Sequence, residues 1–490
     1  MFREAGWWLA IAACGVFRLV AQRLDGIRFD PAAHLWQSMD YAWLRESPLE
    51  SLYLMHMQPP LMNLLRAVAL QAPGDTGDIA LQGLFLVCSA VTVGVVYWLL
   101  RRFGFGQAFA GTMAVLWGVL PQTLIFENIF FYAHLEATLI AVATVCAARY
   151  LAERRLGFFV GLAACIAGLG LLRSMYHLGW IALTLLLIWF LAGRREGLRS
   201  ACVAVCAIGL VTAVYVKNWI EFGSFASSSW LGPSIVGMLI VAPTEQEKFG
   251  DVARDMQARV DRGEFSPALA AGLAGKDIWT GWMAFAKGCE PDDRSRPVVC
   301  AIWSPGGALN FNHVSMIDYS NQLGRDAAKL LRLYPSLYLR HLASSVKIFI
   351  AQPSWNGIDG VVESASEGYR KFWNRLVLYQ PERGGDPWMG NAFRQTSLPY
   401  ALFVVTGLVV VVVLGLRDLH GYALGRRSTA DWVFPLLVIA LFVVVPNLIN
   451  GRETSRMRYA IEPLLFVAVA TAVGNLWRTA LHGRFAGRGR

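Results

Sequence analysis

Long uninterrupted runs of apolar residues constrain this chain more than any other feature of its sequence. Most of these runs are about 17–22 residues long, the length that an α-helix needs to cross a lipid bilayer. They predict ten spans, at residues 6–20, 79–100, 108–126, 131–150, 157–172, 178–191, 200–216, 398–416, 432–448 and 459–477. If a further apolar stretch at residues 341–352 crossed the membrane, all later spans would have the opposite orientation. We therefore predict an interfacial or re-entrant helix there. The predicted fold class is an all-α polytopic membrane protein with about 10–11 transmembrane helices and additional juxtamembrane helices.

The composition favours a membrane protein over a soluble one. Of the 490 residues, 56% are hydrophobic and 16% are charged, whereas a soluble domain has about 45–50% apolar and about 25% charged residues. A net charge of +10 would suit nucleic acid, but the arginines cluster in short loops between spans, as topology signals do, so we predict no nucleic-acid partner. We expect the first span not to be a cleavable signal peptide, because no small-residue cleavage site follows it and Arg28 and Asp30 come at once.

Arginine pairs determine the predicted orientation. They follow the second, fourth, sixth and eighth spans and recur in the C-terminal tail. Because positively charged loops stay on the cytoplasmic side, both termini are predicted to be cytoplasmic. The protein would then be integral to the inner (cytoplasmic) membrane, and its candidates for chemistry would all face the periplasm or the cell exterior.

The spacing of the spans predicts three parts. Residues 1–217 form an N-terminal transmembrane module that contains a polar first loop (residues 23–78), and residues 398–490 form a C-terminal module with a cytoplasmic tail. Between them lies a long loop (residues 218–397), which we expect to be a mixed outer-face domain. Helices are predicted at 252–260 and 324–342, with Pro335 beginning a new helix. The abundance of Trp, Tyr, Gly and Pro in the long loop suits a surface that holds an acceptor.

The first loop carries more candidate chemistry than any other stretch of its length. Asp30-Pro31 predicts a helix start, and the apolar face at 33–44 predicts a helix along the membrane surface. His56, Gln58 and two prolines then interrupt the chain, and a second amphipathic segment begins at residue 61. Two interpretations of Asp30 stay open: it is a catalytic base, or it only caps the helix.

Polar residues also surround the link between the third and fourth spans, namely Glu127, Asn128, Tyr132, His134 and Glu136. Ionisable groups at membrane depth are costly and usually face a cavity, so Glu127 and Glu136 are candidate acids, as is Asp40 in the first loop. The alternatives are a water-exposed carboxylate at a helix end and, for His134, a structural role.

Basic residues on the predicted outer face need a reason, because they oppose the topology rule. These are Arg173, Arg456 and Arg458, with Lys217 followed by Asn218 at the end of the seventh span. A guanidinium fork suits a phosphate, which predicts an anionic ligand. The alternative is simple pairing with Glu453 or Glu462.

Six of the eight cysteines lie in predicted spans, and the other two are Cys289 and Cys300 in the long loop. If that side of the membrane is oxidising, these two are expected to form a disulfide. The sequence has no Walker A motif, no HExxH, no paired CxxC and no glycine-rich dinucleotide loop, and no cysteine has metal-ligand spacing.

Five features follow one another along the chain: Asp30 after the first span, HMQPPL (56–61), FYAHLE (131–136), KNWIEFGSF (217–225) and RETSRMRYAIEP (452–463). In these features the chain resembles the GT-C superfamily of membrane glycosyltransferases, in the branch of the protein O-mannosyltransferases and the lipid A aminoarabinose transferase. The resemblance implies a polyprenyl-phosphate-linked sugar donor, an outward-facing site and an acidic catalytic base in the first outer loop, which Asp30 matches. Members often have a second acid beside it; Pro31 stands here, so a metal-binding carboxylate pair is not supported and the use of a divalent metal stays open.

The mechanism that this resemblance implies is an inverting transfer to a cell-envelope lipid, glycan or protein. The donor phosphate would meet Arg456, Arg458, Arg173 or Lys217, and Asp30 would deprotonate the acceptor hydroxyl. His56, Gln58, Tyr132, His134 and Asn218 are the predicted substrate-binding residues. A lipid transporter or flippase is the main alternative, although no internal repeat or pair of broken spans favours it. A non-catalytic envelope assembly protein is the second alternative.

Overall fold

The computed structural model describes most of the chain. The described residues are 5–31, 38–193, 197–241, 246–274, 278–286, 296–351, 368–369, 372–373, 398–424, 431–450 and 454–486. Cys289 and Glu453 lie outside them.

Helices dominate the described residues. In the first half of the chain they are α1 (Ala5–Asp25), α2 (Tyr41–Glu46), α3 (Pro48–Tyr53), α4 (Leu61–Leu70), α5 (Thr76–Arg102), α6 (Gln107–Gly118), α7 (Pro121–Glu127), α8 (Tyr132–Glu153), α9 (Leu156–Leu172), α10 (Leu178–Ala192) and α11 (Gly197–Phe222). In the second half they are α12 (Leu231–Gly237), α13 (Gln246–Asp261), α14 (Pro267–Ala274), α15 (Pro297–Cys300), α16 (Ser315–Leu333), α17 (Pro335–Ile350), α18 (Leu398–Ala423), α19 (Val433–Ile449), α20 (Thr454–Arg458) and α21 (Glu462–Ala486).

The protein is an all-α polytopic membrane protein. Six helices among the described residues are long and apolar enough to cross a bilayer. The third predicted span is the bent pair α6 and α7, whose axes differ by 57°, and Pro121 begins the second of them. The fifth, sixth and ninth predicted spans are the shorter apolar helices α9, α10 and α19. Each predicted span therefore coincides with a helix or a bent pair of helices.

The described part of the long loop is helical, with one isolated bridge between Trp303 and Leu309. Pro335 occupies the first turn of α17, as predicted, because its missing N–H costs nothing there. This 16-residue helix covers most of the stretch at 341–352 and is not among the helices long and apolar enough to cross.

One prediction for the first loop is wrong. The continuous helix expected from Asp30 through residue 44 does not form, because residues 38–40 are not helical and α2 begins only at Tyr41. The cap of α2 is Asp40, whose carboxylate accepts the backbone N–H of Ala42 at 2.8 Å. Asp30 instead lies in an isolated parallel bridge with Ile129. Any helical turn directly after Asp30 would fall at residues 32–37, outside the described part of the chain.

Three hydrophobic clusters organise the fold. The largest joins residues of α1 to residues of α21, so the first and last spans share one core. A second cluster lies within the long loop and centres on α16. The third joins the two loops: Trp43, Leu54 and Met55 of the first loop pack with Trp230 and Phe311 of the long loop. The long loop is therefore packed against the first loop by apolar burial.

Candidate functional site

A cavity of about 450 Å³ lies where three parts of the chain meet. We call it the Arg173 cavity. Its lining residues are Gln58, Arg173, Ser174, Met175, His177, Trp180, Tyr215, Ala226, Ser227, Ser228, Trp230, Leu231, Ser234, Trp279, Leu441, Val445, Pro446, Ile449, Asn450 and Met457. One wall is the apolar C-terminal half of α19, and another is the polar and aromatic start of the long loop. Such a cavity can hold a ligand with an apolar chain and a polar head.

Among the described lining residues, Arg173 is the one Arg or Lys. It follows α9 and is 6% exposed. Its Nη1 donates to Glu136 Oε2 at 3.2 Å, and its guanidinium lies 4.3 Å from the ring centroid of Tyr132. The buried carboxylate and the aromatic ring hold the guanidinium in place, since both attract a cation. Glu136 thus orients Arg173 in this structure.

Arg456 and Arg458 have different surroundings although they are two residues apart. The guanidinium of Arg456 lies 4.6 Å from the ring centroid of Phe131, and its charge also acts on Glu136. The following residue, Met457, lines the Arg173 cavity. Arg456 therefore belongs to the same group of side chains as Arg173.

Arg458 has its hydrogen-bond donors engaged by the protein. Its Nε and Nη2 donate to Glu462 Oε1 at 3.1 and 2.9 Å, and Nη2 also donates to the Tyr400 hydroxyl at 2.9 Å. Its Nη1 donates to the carbonyls of Phe349 and Ala351. A guanidinium has five N–H donors, and these contacts use all of them. In this structure Arg458 therefore has no N–H left for a phosphate. It pairs with Glu462, which was the alternative that the sequence offered.

Asp30 is tied to the segment that leads into Phe131 and Tyr132. Its N–H donates to the Asn128 carbonyl at 2.7 Å, and its own carbonyl accepts the Phe130 N–H at 2.9 Å. The bridge pairs Asp30 with the segment that directly precedes Phe131 and Tyr132. The rings of these two residues contact Arg456 and Arg173. This pairing joins parts of the chain that are about a hundred positions apart. The Asp30-Pro31 signal in the sequence is local and did not indicate it.

Tyr41 is a neighbour of Asp30 that the sequence analysis missed. Its hydroxyl donates to the Pro31 carbonyl at 2.8 Å, and the Arg66 guanidinium lies 4.2 Å from its ring centroid. Burial raises the pKa of Tyr41 to about 12, and the charges of Asp30 and Asp78 act in the same direction. Tyr41 is therefore a protonated hydrogen-bond donor at neutral pH.

Glu127 and His134 belong to a buried network. Arg18 Nε donates to Glu127 Oε1 at 2.6 Å, and the Ser89 hydroxyl donates to the same carboxylate. Ser89 Oγ lies 3.0 Å from His134 Nε2, and His134 Nδ1 lies 3.2 Å from the Tyr459 hydroxyl. Both side chains are buried and neither lines the Arg173 cavity. In this structure both side chains are engaged by the protein, and their predicted roles, Glu127 as an auxiliary acid and His134 as a substrate ligand, stay predictions.

His56 also has its ring nitrogens engaged by the protein. Nδ1 lies 3.0 Å from Ser229 Oγ, and Nε2 lies 2.8 Å from the Asn312 carbonyl. The Asn312 side chain accepts the His56 N–H at 2.8 Å and donates to the Leu54 carbonyl at 3.1 Å. Burial lowers the pKa of His56 to about 3, so the ring is neutral. His56 joins the two loops, and Asn312, which no sequence signal marked, is its partner.

Of three other predicted residues, Gln58 and Asn218 line the cavity or contact its lining, and Lys217 binds the first loop. Gln58 lines the cavity directly. Asn218 Nδ2 donates at 2.6 Å to the carbonyl of Ala226. Ala226 is one of the lining residues. Lys217 Nζ donates to the Met55 carbonyl, so it anchors the first loop to the end of α11.

Two further predicted residues lie away from the cavity. Asp40 accepts the Gly306 N–H at 3.0 Å in addition to capping α2. Cys300 is disulfide-bonded, and its predicted partner Cys289 lies outside the described residues. Within the described ranges, no three His, Cys, Asp or Glu side chains gather as metal ligands would.

Comparison with known proteins gives two solved structures. ArnT from Cupriavidus metallidurans in the apo state aligns with 94% of this chain and 77% of its own, at 13% identity and a TM-score of 0.32. The Archaeoglobus fulgidus oligosaccharyltransferase tethered to an acceptor peptide aligns with 95% of this chain and 49% of its own, at 14% identity and a TM-score of 0.30. No family model matches the chain, and no curated protein matches it. TM-scores of this size carry no conclusion about fold or function, so both rest on the helices and contacts described above.

Proposed function

We propose that the protein is a membrane glycosyltransferase that moves a sugar from a polyprenyl-phosphate donor to a hydroxyl of a cell-envelope acceptor. The observation that carries the proposal is the Arg173 cavity, which combines an apolar helical wall, a positioned guanidinium and a polar wall from the long loop. A prenyl chain suits the apolar wall, a phosphate suits the guanidinium, and a sugar suits the polar wall. We further propose that the cavity opens on the periplasmic or extracellular side, because arginine pairs mark the opposite ends of the spans.

Arg173 is the proposed first ligand of the donor phosphate, with Arg456 as the second. Glu136 and Tyr132 support this role for Arg173, because they hold its guanidinium and the residue lines the cavity. A fixed cation stabilises the phosphate most when the glycosyl bond breaks and negative charge develops on the leaving oxygen. Arg458 is left out of the ligand set, since Glu462 and Tyr400 occupy it.

Asp30 is the proposed catalytic base. It would take the proton of the acceptor hydroxyl while that oxygen attacks the anomeric carbon and the carbon–phosphate oxygen bond breaks. Direct displacement inverts the anomeric centre. The hydrogen-bonded bridge to residues 128–130 supports this role, because it fixes the backbone of Asp30 against Phe130. Phe130 directly precedes Phe131 and Tyr132, whose rings contact Arg456 and Arg173.

The test is transfer from a polyprenyl-phosphate donor that carries a radiolabelled sugar, with the protein in nanodiscs and envelope extract as the source of acceptor. A glycosyltransferase releases polyprenyl phosphate and labels an envelope component. Movement of intact donor across the bilayer of proteoliposomes, without cleavage of the glycosyl–phosphate bond, would instead identify a transporter.

Binding of polyprenyl phosphate alone tests the phosphate ligands. Arg173→Lys keeps the charge but loses the planar fork and the stacking on Tyr132, so affinity is expected to fall by about tenfold. Arg254→Lys is the matched control, because Arg254 is exposed and distant in the long loop. Equal affinity of the Arg173→Lys, Arg456→Lys and control proteins would remove both arginines from the site.

A further inference from the structure

The described lining of the Arg173 cavity contains an arginine and several aromatic residues but no carboxylate. Four of the described lining residues are Trp or Tyr, namely Trp180, Tyr215, Trp230 and Trp279. The rings of Trp230 and Trp279 lie 5.0 Å apart at an angle of 42°. From this lining we propose that the transferred sugar is an uncharged, hydroxyl-bearing ring and not an amino sugar, an inference that rests on the proposed function.

Charge is the first support. Arg173 lines the cavity, whereas the described lining residues include no Asp or Glu. The carboxylate of Glu136 already accepts a hydrogen bond from Arg173 Nη1. Among the described lining residues, an ammonium group on the sugar would therefore meet a guanidinium and no carboxylate, which is unfavourable for a desolvated cation. A neutral sugar meets no such repulsion.

Hydrogen bonding is the second support. Tyr215 is 2% exposed and Trp230 is 7% exposed, and both line the cavity. Within the described part of the chain, neither the Tyr215 hydroxyl nor the Trp230 indole N–H has a hydrogen-bond partner. Buried polar groups are normally paired, so these two indicate a ligand with hydroxyl groups that completes them when it binds. Sugar hydroxyls accept from both and donate to the Tyr215 oxygen.

Neighbouring hydroxyl side chains extend the same surface. Ser227, Ser228 and Ser234 line the cavity on the side of the long loop. Ser228 Oγ donates at 2.6 Å to the Met57 carbonyl, which fixes this segment against the first loop. The apolar residues of α19 form another wall, so the lipid chain and the sugar are assigned to different walls of one cavity.

The experiment compares three probes on protein in nanodiscs. They are polyprenyl phosphate, the same lipid phosphate carrying a neutral hexose, and the same lipid phosphate carrying an amino hexose. The variants are Tyr215→Phe and Trp230→Phe, which remove one polar group and keep the aromatic ring. Tyr53→Phe and Trp219→Phe are the matched controls, because both residues are exposed and outside the lining.

The wild-type protein is expected to bind the neutral-sugar lipid at least about tenfold more tightly than the amino-sugar lipid. Each cavity variant should lose about tenfold in affinity for the neutral-sugar lipid, with unchanged affinity for polyprenyl phosphate, which also reports correct folding. Equal or tighter binding of the amino-sugar lipid, or identical binding by variants and controls, would overturn the inference while the proposed function stands. Failure of the wild-type protein to bind any of the three lipids would overturn both.

Discussion

Replacing Arg458 with methionine is expected to destabilise the folded protein without a specific effect on ligand binding. The side chain of Arg458 is 0% exposed and joins three parts of the chain. It pairs with Glu462 of α21, donates to the Tyr400 hydroxyl of α18, and donates to the carbonyls at the end of α17. The change removes all these contacts at once.

The size of the effect follows from what the change leaves behind. Glu462 keeps the Tyr400 hydroxyl at 2.6 Å and a long contact with Gln122 at 3.4 Å, but it loses its counter-charge in a fully buried position. Removing one partner of a buried ion pair costs about 3–5 kcal/mol, because the other charge remains desolvated and unpaired. The carbonyl of Ala351 loses its donor as well. We therefore expect a loss near the upper end of that range.

The assay is thermal unfolding in detergent, with hydrogen exchange read at residues 454–462. Arg254→Met is the control, since its pair with Asp251 is on the surface and such pairs contribute little. The double change Arg458→Met with Glu462→Leu removes both charges and should recover much of the lost stability. A wild-type unfolding temperature for Arg458→Met, together with lost binding of polyprenyl phosphate, would show that Arg458 is a ligand after all.

Two further predictions concern the loops. Because burial lowers the pKa of His56 to about 3, the folded state binds fewer protons than the unfolded state below pH 6.5. The contribution of His56 to the free energy of unfolding should be constant above pH 6.5 and should fall as the pH drops, by roughly 2 kcal/mol at pH 5. His56→Gln should flatten this pH dependence in thermal unfolding. An unaltered pH dependence would contradict a neutral, buried His56. Cys289 should be the partner of Cys300, a bond worth roughly 2–3 kcal/mol for so short a loop. Labelling of both thiols in native, non-reduced protein would disprove the pairing.

Patterns that repeat along the chain predicted the fold well. A run of apolar residues about as long as a bilayer is thick has few alternatives to a helix, so each predicted span coincides with helix in the structure. Proline acts just as locally: Pro335 begins α17, and α4 begins at Leu61 directly after two prolines. These signals depend only on neighbouring residues, which a sequence supplies.

Partners distant in the chain could not be predicted in this way. The Asp30-Pro31 signal is typical of a helix cap, but the backbone of Asp30 pairs with residues 128–130, and this tertiary contact has no local signal. Whether an arginine meets a phosphate or a carboxylate depended on the packing of α17, α18 and α21 around Arg458. Asn312 lies in an irregular segment without periodicity, so nothing in the sequence distinguished it as the partner of His56.

Turnover of the Asp30→Asn protein tests the central claim most directly. Asparagine is nearly isosteric and leaves the backbone pairing with Asn128 and Phe130 intact, while it removes the negative charge that would accept the proton. Asp40→Asn is the control, because Asn caps α2 about as well as Asp does. If Asp30 is the base, transfer from a polyprenyl-phosphate sugar falls by about 100-fold or more, while donor binding and protein yield stay normal and Asp40→Asn stays active. Near-normal transfer by Asp30→Asn would contradict the account and move the search for the base to Glu136.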